Sequence, residues 1–124
     1  MPMTSKKSAE AQDFGLAIAR TSHLDDVTVN IVTVRETHSL KEALAALPGA
    51  LCQCPHWGYM LAGRMSCDYG DHSETYDAGD AFYMTPGHVP TADAGAEFVM
   101  FSPKDQLEAT DAAIRAAMLA RQPG

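Results

Sequence analysis

With 124 residues, 46% of them hydrophobic and 20% charged, the chain is long enough for one buried core and too short for two domains. Nine Lys and Arg stand against sixteen Asp and Glu, and residues 65–111 hold ten of those acids beside a single base, Lys104. Such a surface repels nucleic acid and anionic membranes; no run nears the ~18 apolar residues of a membrane span, and no secretory signal follows Met1–Lys7. The expectation is a cytoplasmic protein.

Residues 1–12 are polar and without period, and are expected to be mobile ahead of a single domain over 13–124. Val27–Val34 alternates with β-branched residues, the pattern of a strand. Ser39-Leu-Lys-Glu42 has the form of a capping box. Leu40, Leu44 and Leu47 then share a helical face, and Pro48-Gly49 stops the run, which predicts a short helix. Trp57 to Leu61 is apolar on both sides, as in a strand buried on two faces. Met65, Cys67 and Tyr69 next alternate with polar residues, Gly70-Asp71 marks a hairpin turn, and Ser73 to Tyr76 is the return strand. Ala78-Gly79-Asp80 turns into a strand over Ala81 to Met84. Thr85-Pro86-Gly87 breaks that strand, and Glu97 to Phe101 forms another. Short strands parted by Gly, Pro and Asp turns predict an antiparallel sandwich or barrel. Leu107, Ile114, Ala117 and Met118 recur at helical spacing, so a C-terminal helix over about 105–121 is expected to lie outside it.

Two segments carry a family likeness. His56-Trp-Gly-Tyr-Met-Leu-Ala-Gly63 resembles the end of the first cupin motif. Gly79-Asp-Ala-Phe-Tyr-Met-Thr-Pro-Gly87-His88-Val-Pro90 resembles the second, with fifteen residues between Gly63 and Gly79. The resemblance covers about residues 27–102. It implies a mainly β fold: a double-stranded β-helix, or jelly-roll barrel, with a metal or ligand site at its centre. The short N-terminal helix and the C-terminal helix would flank it.

The family's usual donors are two His and a Glu from the first motif and a His from the second. Here the two His positions fall on Ala50 and Cys52, the Glu position on His56, and the second-motif His on Pro90, two residues after His88. A softer set therefore remains: Cys52, Cys54, His56 and His88. Side chains 52, 54 and 56 share one face of an extended segment, unless Pro55 bulges it and flips their parity. Thiolate with imidazole favours Zn²⁺ over Mg²⁺ or Ca²⁺. Three ligands and a water would make a catalytic or sensing site, and four protein ligands a closed structural one; both stay open.

Cys67 reads as a small core hydrophobe, and His23, His38 and His72 as surface residues. Trp57, Tyr59, Phe82 and Tyr83 read as core aromatics, with a pocket for a small apolar or aromatic molecule as the functional alternative. No nucleophile elbow, phosphate loop, dinucleotide fingerprint or Cys-x-x-Cys is present. The sequence thus predicts a zinc-binding cupin acting on or binding a small molecule inside the barrel, and paired as a homodimer through sheet edges. The alternative is a non-catalytic module that senses a small molecule, metal or redox state through thiols beside an imidazole.

Overall fold

In the computed structural model, which describes residues 3–39, 41 and 53–121 (side chains to 112), a C-terminal helix follows a series of short strands. In chain order these are β1 (Glu10–Asp13), β2 (Ala17–Leu24), β3 (Val27–Val34), β4 (His38–Ser39) and β5 (His56–Ala62). Then come β6 (Arg64–Asp68), β7 (Ser73–Asp77), β8 (Ala81–Met84), β9 (Val89–Ala92), β10 (Glu97–Pro103) and the helix α1 (Lys104–Arg121). They form two sheets, ordered β1-β2-β3-β10-β5-β8 and β4-β9-β6-β7, and every pairing is antiparallel. The result is a mainly β jelly-roll with one C-terminal helix.

Period-two alternation puts the core between the sheets. From the six-stranded sheet come Val34, Met60, Phe82, Met84 and Phe98; from the four-stranded sheet come Met65, Cys67, Tyr76 and Ala92. Phe82 and Tyr76 stack across the gap with ring centroids 4.8 Å apart. The two glycine motifs hold the turns. Gly63 adopts φ +72°, and a Cβ there would lie 2.6 Å from Ala96 Cα, so the Leu-x-Gly turn admits no side chain. The Gly79 N–H donates to Met60 O and the Met60 N–H to Asp80 O, both at 2.9 Å, while the Asp80 carboxylate accepts the Asp77 N–H at 2.8 Å. The Gly-Asp pair thereby clips the β7–β8 turn onto β5.

Several expectations change. The strand after His56 is not buried on two faces: Met60 is fully buried, but Trp57, Tyr59 and Leu61 are 46%, 43% and 48% exposed. The second sheet covers one face only. Residues 17–24, to which the sequence assigns no element, form β2, because its interleaved polar residues hide the alternation. Residues 10–12, in the stretch expected to be mobile, form β1 with Asp13 and pair with β2. Val89–Ala92 is also a strand despite Pro90, which pairs opposite Cys67. Ser39 Oγ accepts the Lys41 N–H at 3.1 Å, as a helix cap does. The rest of the predicted short helix lies outside the described residues. Among those described, no helix is long and apolar enough to cross a membrane.

Candidate functional site

In β5 and the segment before it, Cys54, His56 and Met60 face inward. Cys54 is 1% exposed and His56 is 6%, whereas Pro55 is half-buried and Trp57 half-exposed. Pro55 therefore leaves the parity intact, and Cys54 and His56 share a face. The Cys54 Sγ lies 3.6 Å from Pro55 O. Cys52 lies outside the described residues.

His88 enters from the loop that Gly87 turns, and its ring meets that of His56 at 5.1 Å between centroids, tilted by 59°. The side chain is fully buried. Its Nδ1 donates to Thr85 O at 2.6 Å. A carbonyl only accepts, so Nδ1 carries the proton and Nε2 presents a lone pair. That Nε2 is buried and has no hydrogen-bond partner among the described residues. An imidazole whose second nitrogen is pinned to a backbone carbonyl is the arrangement that orients a metal ligand.

On the other side, His56 Nδ1 and Ser102 Oγ lie 2.6 Å apart in a buried hydrogen bond. Burial, and secondarily the charge that His88 would carry, push the His56 imidazole down to about 4. Burial also lowers His88, against the Thr85 carbonyl bond that raises it. Both rings are consequently neutral at pH 7, the form that binds a metal.

Register carries the polar character sideways. His23 on β2 opposes Thr28 on β3, Thr28 opposes Ser102 on β10, Ser102 bonds His56 on β5, and His56 opposes Met84 on β8. His23 Nδ1 lies 3.2 Å from Thr28 Oγ1. Thr28 and Ser102 are 2% and 1% exposed. One row on the inner face of the sheet thus joins an exposed histidine to the buried pair. Sequence reading missed Ser102 and Thr28. The signal was there for Ser102: it follows Phe98 and Met100 at the inward parity of β10.

The predicted pocket aromatics separate. Phe82 is 7% exposed and faces the core. Trp57 and Tyr83 stack on the outer face with centroids 4.9 Å apart and planes within 5°. Tyr59 shares their parity, so these three do not line the barrel interior. His23 and His72 are exposed and His38 partly so, and Cys67 is buried in the core, as the sequence predicts. Among the described residues no three of His, Cys, Asp and Glu converge as a ready metal site.

Two facing antiparallel sheets, clipped by the Gly-Asp and Leu-x-Gly turns around an inward histidine pair, define a cupin fold. Solved structures agree. The chain is similar to a RmlC-like cupin from Shewanella frigidimarina (14% identity, TM-score 0.55, 81% of this chain and 88% of that one). It is also similar to the polyketide cyclase RemF from Streptomyces resistomycificus (15%, 0.61, 84% and 80%). The iron(II) form of HppE is a third (8%, 0.59), where the match covers 82% of this chain and 60% of that one. No protein-family model matches the sequence, and no curated protein does.

Proposed function

We propose that this chain is a metal-binding cupin that holds a divalent transition ion, zinc by its donor chemistry, through His56 and His88, and presents it to a small molecule inside the barrel. One observation carries the reading: the buried Nε2 lone pair of His88, without a partner among the described residues while Nδ1 is fixed by Thr85 O. Leaving such an acceptor buried and unmet costs about 1–3 kcal/mol, which a bound ion offsets. Two imidazoles are too few for a closed zinc site, so further donors come from Cys54, from Cys52, or from the bound molecule. HppE, one of the similar structures, is described as an iron(II) form, which is consistent with metal chemistry on this fold. When bound, the ion supplies Lewis acidity to an oxygen-bearing ligand. A reducing compartment, the cytoplasm, keeps the neighbouring thiols as donors.

The test is elemental analysis of protein purified without a metal-affinity tag, before and after zinc reconstitution. About one equivalent is expected, falling at least severalfold in His56→Ala and in His88→Ala while the β spectrum survives. Less than about 0.2 equivalent after reconstitution, or full retention in both variants, overturns the reading. The alternative, a non-catalytic small-molecule- or redox/metal-sensing module, rests on the same buried His88 acceptor and on the thiol of Cys54 on the face of His56. In its small-molecule form it predicts that the His88 acceptor is met by an organic ligand instead of a metal.

The partner we propose is a second copy. Phe101, Trp57 and Tyr83 stand opposite one another across β10, β5 and β8, with Tyr59 and Leu61 beside them, each 42–48% exposed. Together they expose apolar area on the order of 500 Å², a large part of the ~800 Å² per partner of a stable interface. β8 is also the end strand of its sheet. In a chain of net charge −7, an uncharged patch is where two copies can meet without repulsion. Light scattering should give about twice 13.3 kDa, reverting to monomer in Trp57→Ser with Tyr83→Ser. A monomeric wild type overturns the pairing.

A further inference from the structure

The six-stranded sheet extends past the second sheet, and α1 covers what is left. The Lys104 N–H donates to Asp26 O at 2.9 Å, which pins the start of α1 to the β2–β3 turn. Between α1 and β1–β3 lies a cleft of about 680 Å³. Its sheet wall includes Glu10, Thr21, His23 and Asn30, and its helix wall Glu108 and Asp111. Register places Glu10, Thr21 and Asn30 side by side on the same face as His56. The Thr21 hydroxyl donates to Asn30 Oδ1 at 2.6 Å, which fixes the amide and leaves its N–H₂ as the group with donors to offer a ligand. Neither Glu10 nor Glu108 joins an ion pair among the described residues, and no described lining residue is Lys or Arg.

We infer that this cleft is a second binding site, separate from the proposed metal donors, for a small hydroxylated amine. Its ammonium group sits between Glu10 and Glu108, and its hydroxyls meet Thr21, Asn30 and His23. The volume suits a molecule of sugar size, since small-molecule sites run from roughly 300 to 1,000 Å³. Carboxylates at both walls, on a chain of net charge −7, exclude anions and concentrate cations. Fixed hydroxyl, amide and imidazole groups distinguish a hydroxylated amine from a bare alkylamine. Thr28, also in the lining, opposes Ser102, which holds His56, so a ligand here lies two strands from the buried pair.

The experiment titrates the full chain with D-glucosamine and with tris(hydroxymethyl)aminomethane, by calorimetry in a phosphate-free, amine-free buffer containing EDTA. The chelator makes the outcome independent of the metal reading. Saturable binding of at least one probe with a dissociation constant below about 5 mM is expected. Glu10→Gln with Glu108→Gln should weaken it at least about tenfold with unchanged urea midpoint, and D-glucose and glucose 6-phosphate should bind at least about tenfold more weakly than D-glucosamine. No saturable binding of either amine, equal affinity for the sugar phosphate, or unchanged affinity in the folded double variant overturns the inference.

Discussion

The two halves of the six-stranded sheet use their inner face in opposite ways. Under the second sheet, β10, β5 and β8 present Phe98, Met60, Phe82 and Met84, each at most 7% exposed. Under α1, β1 and β2 present Glu10, Gln12, Thr21 and His23, and β3 adds Asn30, all to a cleft. The difference teaches where chemistry can sit in a small jelly-roll. Facing sheets about 10 Å apart exclude water and shift pKa values, whereas a helix laid on an overhanging sheet leaves room for a polar ligand. His56 and Ser102 lie on the seam between the two.

The sharpest way to break this comparison is to truncate one inward side chain in each half. Phe82→Ala should cost about 3–5 kcal/mol of unfolding free energy, since Tyr76 loses its stacked partner and a cavity opens over Gly58. Thr21→Ala, which removes one hydroxyl from the cleft, should cost about 1 kcal/mol or less, because water replaces its bond to Asn30. Urea unfolding of the two variants checks both. Equal costs would mean that the cleft half is packed as tightly as the core.

A smaller effect tests the seam. In the folded, metal-free chain His56 is held at about 4, against an ordinary 6.5, and His88 is also lowered. Between those values the unfolded state binds more protons than the folded one, so stability rises with pH. It is present in full above 6.5 and is lost as pH falls through 6.5 towards 4. The His56 share is on the order of 3 kcal/mol. Chelator-treated protein should therefore show a falling urea midpoint from pH 7 to 4.5, and His56→Gln should flatten the fall. A midpoint independent of pH in the wild type would mean that the pair is hydrated.

What was legible in the sequence follows the same division. Gly63, Gly79, Asp80 and Gly87 betray the turns because backbone geometry limits which residues fit there, and Met65 and Cys67 betray β6 because one of its faces is wet. Parity places Cys54 and His56 on one face, but which face that is, and whether Pro55 disturbs it, is settled only by the packing of the second sheet. The outward aromatics were not legible: Trp57, Tyr59 and Leu61 carry the composition of a core strand on a face the second sheet does not cover, and periodicity cannot say what covers a face. The polar row was hidden for another reason. Thr28 and Ser102, more than seventy residues apart in the chain, meet through the pairing of β3 with β10, which no local pattern records.

The smallest effect contrasts two histidines. His72 lies in the β6–β7 hairpin, exposed, with Nδ1 2.6 Å from the Asp71 carboxylate and Nε2 3.6 Å from that of Glu74. The Asp71 hydrogen bond raises its pKa above the ordinary 6.5, opposite in sign to His56. A raised folded pKa contributes stability that is present in full below the unfolded value and is lost as pH rises through the folded one. Water screens the pair, so the stability change should be too small to read from unfolding curves. The titration itself is the measurement. In Asp71→Asn the His72 ring resonances should titrate at lower pH than in the wild type, because the hydrogen bond that raises its pKa most is removed, while His56 should not move. If His72 is unchanged, the carboxylate contact is not populated in solution. If His56 moves with it, the hairpin and the seam are coupled, and the division between a dry half and a wet half would fail.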